Sequence, residues 1–301
     1  MKLTRLPELP PAPPEDGPRR RVAIGTFDGL HVGHREVVRG NDTVLTFDPH
    51  PMSIIHPEAT PKLVMPFKIK RDLIAGLGVD ELVVIPFDRE FAGRSHEEFV
   101  EDVLIARLGS QRVAVGENFR FGRAARGDAD YLRSRDEFET RVVSLIEVDG
   151  ETVSSSHVRA LVAAGDVEGA TRFLGAPFAL EGEVVDGDRR GRQLGMPTAN
   201  LVPDDRVVIP GHGVYAATVD GRPAAVNVGV RPTFETGRGV LIEAHLIDFD
   251  GDLYGRTIRI AFLERLRGER RFESIEGLVE QMRADVEQAR RACAAASVSP
   301  L

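Results

Sequence analysis

The segment Gly25-Thr26-Phe27-Asp28-Gly29-Leu30-His31-Val32-Gly33-His34 constrains the fold more tightly than any other stretch of the chain. It follows the apolar run Val22-Ala23-Ile24 and leads into a helical pattern. A strand delivers the chain to the edge of a sheet, glycines let the backbone close on an anion, and the next helix offers unpaired N–H groups and its positive dipole end. Two histidines three apart can add charge to a pentavalent phosphorus as it forms. A second glycine-punctuated constellation, Gly191-Arg192-Gln193-Leu194-Gly195-Met196-Pro197-Thr198-Ala199-Asn200, points to phosphate chemistry of another kind. The expectation is two nucleotide-handling sites in one chain.

At 301 residues the chain exceeds what one core usually organises, so two domains are expected. Up to Val115 strand-like and helix-like segments alternate: Arg21–Thr26, Val32–Gly40, Thr43–Phe47, Phe67–Leu77, Glu81–Pro86, His96–Leu108 and Arg112–Val115. That order predicts an α/β unit with a parallel sheet, and the continuous apolar runs predict strands covered on both faces. From Phe178 short strands separated by Gly, Pro and Asp predict a small antiparallel β-barrel, at Leu180–Val185, Thr198–Leu201, Gly213–Val219, Arg222–Val228, Gly239–Phe249 and Thr257–Arg265. A helix over Ser274–Ala292, N-capped by Ser274 and striped with Ile275, Leu278, Val279, Met282, Val286 and Ala289, should close the barrel. The proposed boundaries are an irregular proline-rich lead-in at 1–20, an α/β domain at 21–177 and an all-β domain at 178–301, with Pro177 stopping the preceding helix.

The formal net charge of −8 argues against a nucleic-acid partner, although local basic patches can still receive small anions. No apolar run reaches membrane-spanning length, and the N-terminus lacks the apolar core of a signal peptide. The single cysteine, Cys293, suits a reducing cytoplasm. Homo-oligomer formation stays open.

The string from Gly25 to His34 resembles the signature of the nucleotidylyltransferases, specifically their flavin-adenylating branch. Thr46-Phe47-Asp48-Pro49-His50-Pro51, Gly116-Glu117-Asn118-Phe119-Arg120-Phe121-Gly122 and Ser154-Ser155-Ser156-His157-Val158-Arg159 follow in that family's order. The serine run also reads simply as a helix N-cap. The resemblance implies that the phosphate of FMN attacks the α-phosphorus of ATP, giving FAD and pyrophosphate through positioning and charge neutralisation. It assigns Gly25, Phe27, Asp28, Gly33, His31 and His34 to the triphosphate and transition state. Ser155, Ser156 and Arg159 go to the leaving pyrophosphate, and Asn118 to the flavin phosphate. One departure stands out. Only the eight residues from Arg35 to Asp42 separate His34 from the next strand, about two helical turns fewer than the family pattern implies.

Downstream, Gly187 to Leu201 resembles the riboflavin kinase signature, as do Gly213-Val214-Tyr215, Asn227-Val228-Gly229-Val230-Arg231-Pro232-Thr233-Phe234 and Asp252-Leu253-Tyr254-Gly255. Taken singly, each glycine reads as a barrel turn. Thr198 and Asn200, two apart in an extended segment, present hard oxygens to magnesium on ATP, beside Gly191, Gly195 and Pro197. The resemblance makes Glu243 the general base that takes a proton from the ribityl hydroxyl, whereas on residue pattern alone an outward solvated charge is the alternative. The implied whole is a bifunctional riboflavin kinase and FAD synthetase. Its substrates are ATP, riboflavin and FMN, with FMN and FAD passing through as product and substrate. Three alternatives remain: a kinase whose adenylyltransferase is impaired, a non-catalytic flavin or nucleotide sensor, and a transferase acting on another phosphate ester.

Overall fold

The computed structural model describes residues 1–9, 19–185, 196–230 and 240–298. The chain divides into two compact units, Met1–Pro61 with Phe67–Ser154, and Lys62–Pro66 with Ser155–Leu301.

The first unit is built on six parallel strands: β1 (Lys2–Arg5), β2 (Arg20–Ile24), β3 (Thr43–Asp48), β4 (Glu81–Pro86), β5 (Ser110–Gly116) and β6 (Glu139–Val143), in the order β1-β4-β3-β2-β5-β6. Its middle strands β3 and β4 are buried at five of six positions each because both faces are covered. Val22, Ile24, Leu45, Val83, Ile85, Val113 and Val115 pack with Phe99, Val100, Val103, Leu104 and Leu108. Val37, Val38, Ile69 and Ile74 are likewise buried, on helices α1 (Val32–Val38) and α2 (Phe67–Gly76). The short α1 still returns the chain to a parallel neighbour, because Val22, Ala23 and Ile24 pair in register with Thr43, Val44 and Leu45.

Two sequence expectations need correction here. The start of the lead-in is ordered: β1 pairs with β4 from Lys2↔Glu81 to Arg5↔Val84, and Leu6 and Leu9 enter the core. Thr4 Oγ1 and Arg20 Nε both donate to the Glu81 carboxylate, at 2.7 and 3.0 Å, which ties that edge down. The segment His96–Leu108 is helical but divided. An α-turn over His96–Glu98, closed by a Ser95–Glu98 capping box, runs into a π-helix over Phe99–Arg107.

In the second unit, α3 (Ser155–Ala164) and α4 (Val167–Leu174) precede a closed antiparallel barrel. Its strands are β7 (Phe178–Val185), β8 (Ala199–Pro203), β9 (Gly213–Val219), β10 (Arg222–Val230), β11 (Val240–Leu246) and β12 (Thr257–Arg267), in the order β7-β8-β11-β10-β9-β12 and back to β7. Tyr215, Phe262 and Phe178 fill the interior. Helix α5 (Ile275–Val298) covers one side, with Ala289 packed on Ala216, Ala225 and Ile247. Ser274 caps α5 as expected, its Oγ accepting from the Gly277 N–H at 3.1 Å. Ile275 departs from the expected stripe and is 65 % exposed. Asp285 instead is buried, held by Arg267 on β12 through bonds of 2.8 to 3.1 Å.

Candidate functional site

In the first unit, β2 ends at Ile24 and the chain turns tightly before α1. The turn holds Phe27, Gly29 and Leu30 at positive φ, a costly conformation for the two apolar residues, which their burial maintains. A Cβ on Gly25 would stand 3.1 Å from the Phe27 ring, so the glycine makes room for that ring.

His31 is the N-cap of α1, its Nδ1 accepting from the His34 backbone N–H at 3.2 Å. Gly33 permits this fold-back, because a Cβ there would meet the His31 ring at 3.3 Å. The rings of His31 and His34 stack with centroids 3.6 Å apart and 12° between their planes, and Phe27 presents an edge to His34 at 5.4 Å. Burial lowers His31 to a pKa of about 4. Burial first, then the charges of His31 and Lys70, lowers His34 well below its ordinary range. Both rings are therefore neutral at pH 7. The expectation that the imidazoles themselves bring charge to this site is not met before ligand arrives.

The positive charge close by belongs to Lys70, which the residue pattern of α2 did not single out. It is buried, and its Nζ donates to the Thr26 carbonyl at 2.9 Å. Asp28, expected in this turn, is buried as well. Asn118 lies exposed in the turn after β5, beside the two-residue strands Arg120–Phe121 and Gly127–Asp128, where Phe119 stacks on Phe121.

Ser155, Ser156 and Arg159 sit together on the first turns of α3 in the second unit, with Arg159 Nη1 donating to Ser156 Oγ at 3.2 Å. On the barrel, Asn200, Glu243 and Asn227 form a row across β8, β11 and β10, since Glu243 is in register with both asparagines. The flanking rows, Ala199–Ala244–Val226 and Leu201–Ile242–Val228, are buried in the interior. The polar row therefore occupies the opposite face of the sheet. Asn227 Nδ2 donates to Glu243 Oε2 at 3.4 Å. His245, two residues further along the strand, uses Nδ1 to hold the Pro197 carbonyl at 2.8 Å, fixing the approach to Thr198. The sequence motifs give Asn227 no role and leave His245 unmarked. Their signal was the two-residue strand period around Glu243. Gly191 and Gly195 lie outside the described residues.

The arrangement is matched by known families. A riboflavin kinase family model matches residues 174–293, and an FAD synthetase model matches residues 14–157. The bifunctional riboflavin kinase/FMN adenylyltransferase of Pseudomonas fluorescens is 37 % identical over 286 residues, covering 89 % of this chain and 91 % of that protein. The chain belongs to the bifunctional riboflavin kinase/FMN adenylyltransferase family. The family member of Escherichia coli strain K12 is 36 % identical over 304 residues, covering 95 % of this chain and 96 % of its own. A crystal structure described as a macrolide-efflux protein from Streptococcus pneumoniae superimposes with a TM-score of 0.84 at 29 % identity, over 96 % of this chain and 99 % of that one. Among the described residues no helix is long and apolar enough to cross a membrane. Family membership accounts for both halves of the chain, the parallel sheet with its histidine turn and the barrel with its Glu243 row.

Proposed function

We propose that the enzyme phosphorylates riboflavin on the barrel and adenylylates the resulting FMN on the parallel-sheet unit. The row Asn200–Glu243–Asn227 carries this reading. A carboxylate held on the outer face of a barrel strand by an amide on one neighbour, with a second amide in register on the other, supports a general base over a stray surface charge.

For phosphoryl transfer, Glu243 takes the proton from the ribityl 5′-hydroxyl as that oxygen attacks the γ-phosphorus, and ADP leaves. Thr198 and Asn200 supply hard oxygens beside Glu243, a donor set suited to Mg²⁺ on ATP's phosphates. Among the described residues no group of three or more His, Cys, Asp or Glu forms a cage for a metal. The cation would take the rest of its shell from phosphate and water, and when bound it would neutralise charge on the transferred group. Pro197, Gly191 and Gly195 complete the ATP-binding residues of this step.

For adenylyl transfer, an FMN phosphate oxygen attacks the α-phosphorus of ATP and pyrophosphate leaves. His31 and His34 donate N–H groups to the crowded phosphates as neutral rings, because stacking at 3.6 Å disfavours two cations. Gly25, Phe27, Asp28 and Gly33 shape the turn, Ser155, Ser156 and Arg159 receive the pyrophosphate, and Asn118 orients the flavin phosphate. The protein acts in the cytoplasm on these small molecules, independently of nucleic acid and membrane.

The test uses the purified chain with riboflavin, ATP and magnesium, followed by separation of the flavins. Glu243→Ala should abolish FMN formation and leave adenylylation of supplied FMN, and His31→Ala should do the reverse. If both substitutions damage one and the same step, the division of labour is wrong. Wild-type FMN accumulation without FAD would instead mark a kinase with a silent first unit.

A further inference from the structure

Lys70 is a buried charged group that neither transfer step uses. It lies on α2, three and four residues before Leu73 and Ile74, so the helical period sets it on the apolar face while Lys68 and Arg71 fall on the other. Its side chain runs inward, leaving 9 % of the residue exposed, with Nζ 2.9 Å from the Thr26 carbonyl and 5.6 Å from the Phe67 ring centroid. Thr46 Oγ1 donates to the same carbonyl at 3.2 Å. Burying an ammonium is costly unless opposite charge and hydrogen bonds compensate it. For packing alone, an apolar side chain would serve this position at lower cost.

We propose that Lys70 is a positioning residue of adenylyl transfer, clamping the Thr26 carbonyl of the Gly25–Asp28 turn and standing as the fixed positive charge behind the His31–His34 pair. The proposal rests on the reading of that pair as the adenylyl-transfer site. The geometry asks for such a charge. His31 Nδ1 is committed as an acceptor to the His34 N–H, so that ring carries no positive charge while α1 stays capped. His34 stacks on it, and its buried Nδ1 has no hydrogen-bond partner among the described residues. Neither ring then supplies a standing charge to a triphosphate, whereas an ammonium does. The groups that act on Lys70 are Asp28 in the turn and Asp48 at the end of β3, both favouring its charged form against the burial that lowers it. His34 is faced by His31 and Lys70, and both disfavour its protonation. Arg35, one residue along α1, turns away to donate to the Leu30 carbonyl.

The experiment compares Lys70→Gln, which keeps a donor for Thr26 but no charge, with Lys70→Arg, which keeps the charge, in the full-length chain. FMN adenylylation is followed from pH 3 to 9, and riboflavin phosphorylation in the same preparations is the control. Loss of the charge lets His34 protonate more readily, so in Lys70→Gln the acid limb of kcat/KM should move up by about one pH unit. Its kcat should fall about 100-fold, with phosphorylation within about twofold of wild type. Lys70→Arg should keep the wild-type acid limb. If Lys70→Gln has a normal kcat, or loses rate with an unmoved limb, Lys70 is a packing residue and the proposal is overturned. If Lys70→Gln fails to fold, the limb of Lys70→Arg and the ring titration of His34 by NMR in that variant decide, and a shift in either overturns the proposal. His31→Ala run in parallel separates the two levels. Retained adenylylation there removes the site itself and the Lys70 role with it, whereas an inactive His31→Ala beside an unaffected Lys70→Gln refutes the Lys70 role alone.

Discussion

Replacing His31 by asparagine tests the physical state of the Gly25–His34 turn without reference to a substrate. The His31 ring is buried, caps α1 through Nδ1, and is lowered by burial from 6.5 to a pKa of about 4. A group with a depressed native pKa binds its proton more readily in the unfolded chain. Stability is therefore fully present above pH 6.5 and is lost as the pH falls towards 4. At about 1.4 kcal/mol per pH unit the full interval is worth about 3 kcal/mol, of which about 2 kcal/mol is lost between pH 7 and pH 5. Asparagine keeps an oxygen for the His34 N–H, is itself a preferred N-cap and does not titrate. Urea denaturation read by amide exchange in β2 and α1 confines the measurement to this unit. Wild type should lose about 2 kcal/mol more than His31→Asn between pH 7 and pH 5. His34 is present in both proteins and cancels to first order. An equal acid loss in the two proteins, or a His31 ring titrating near its ordinary value by NMR, would refute the buried neutral pair.

Other expectations follow from single contacts. Asp285 receives three bonds from Arg267 and one from Gln281. Asp285→Ala should thus cost about 3 kcal/mol in thermal or urea unfolding of the barrel unit by stranding the guanidinium, and the pair Arg267→Met with Asp285→Leu should recover most of it. An additive double variant would show that Arg267 is not paying a burial penalty. Asn227→Ala should lower riboflavin phosphorylation about tenfold, the worth of one hydrogen bond that orients Glu243, and leave adenylylation unchanged. Unchanged phosphorylation would place Asn227 outside the site.

How far the sequence could be read depended on where the deciding partner of each residue lies. Val44-Leu45 and Leu82-Val83-Val84-Ile85 announced central strands because strands covered on both faces must be apolar throughout. The edge strands Lys2–Arg5 and Glu139–Val143 are interrupted by charged residues and resemble loops until β4 and β5 are there to receive them. Apolar spacing in His96–Leu108 identifies a helix, but residues four apart share a face in an α-helix and in a π-helix alike, so that test does not separate the two. The motif residues were legible for a related reason. Strand, glycine turn and histidine occur in mechanical order within ten residues, so chemistry and backbone constrain the same short string. Lys70 and Asp285 show the limit. Each falls within the apolar stripe of its helix, Lys70 three and four residues before Leu73 and Ile74 and Asp285 between Met282 and Ala289, yet its charge argues for a solvated position. Each is buried because a partner distant in sequence is there: the Thr26 carbonyl with Asp28 and Asp48 for the lysine, Arg267 for the aspartate. A lone charge buried on a helix is excluded by its desolvation cost, and a compensated one is permitted. Charge burial is thus a property of pairs, and a reading along one chain sees the members of a pair one at a time. For this family the consequence is specific. The anionic substrate was foreseeable from the histidine turn, whereas the cation standing behind that turn became visible only once α2 had folded over Thr26.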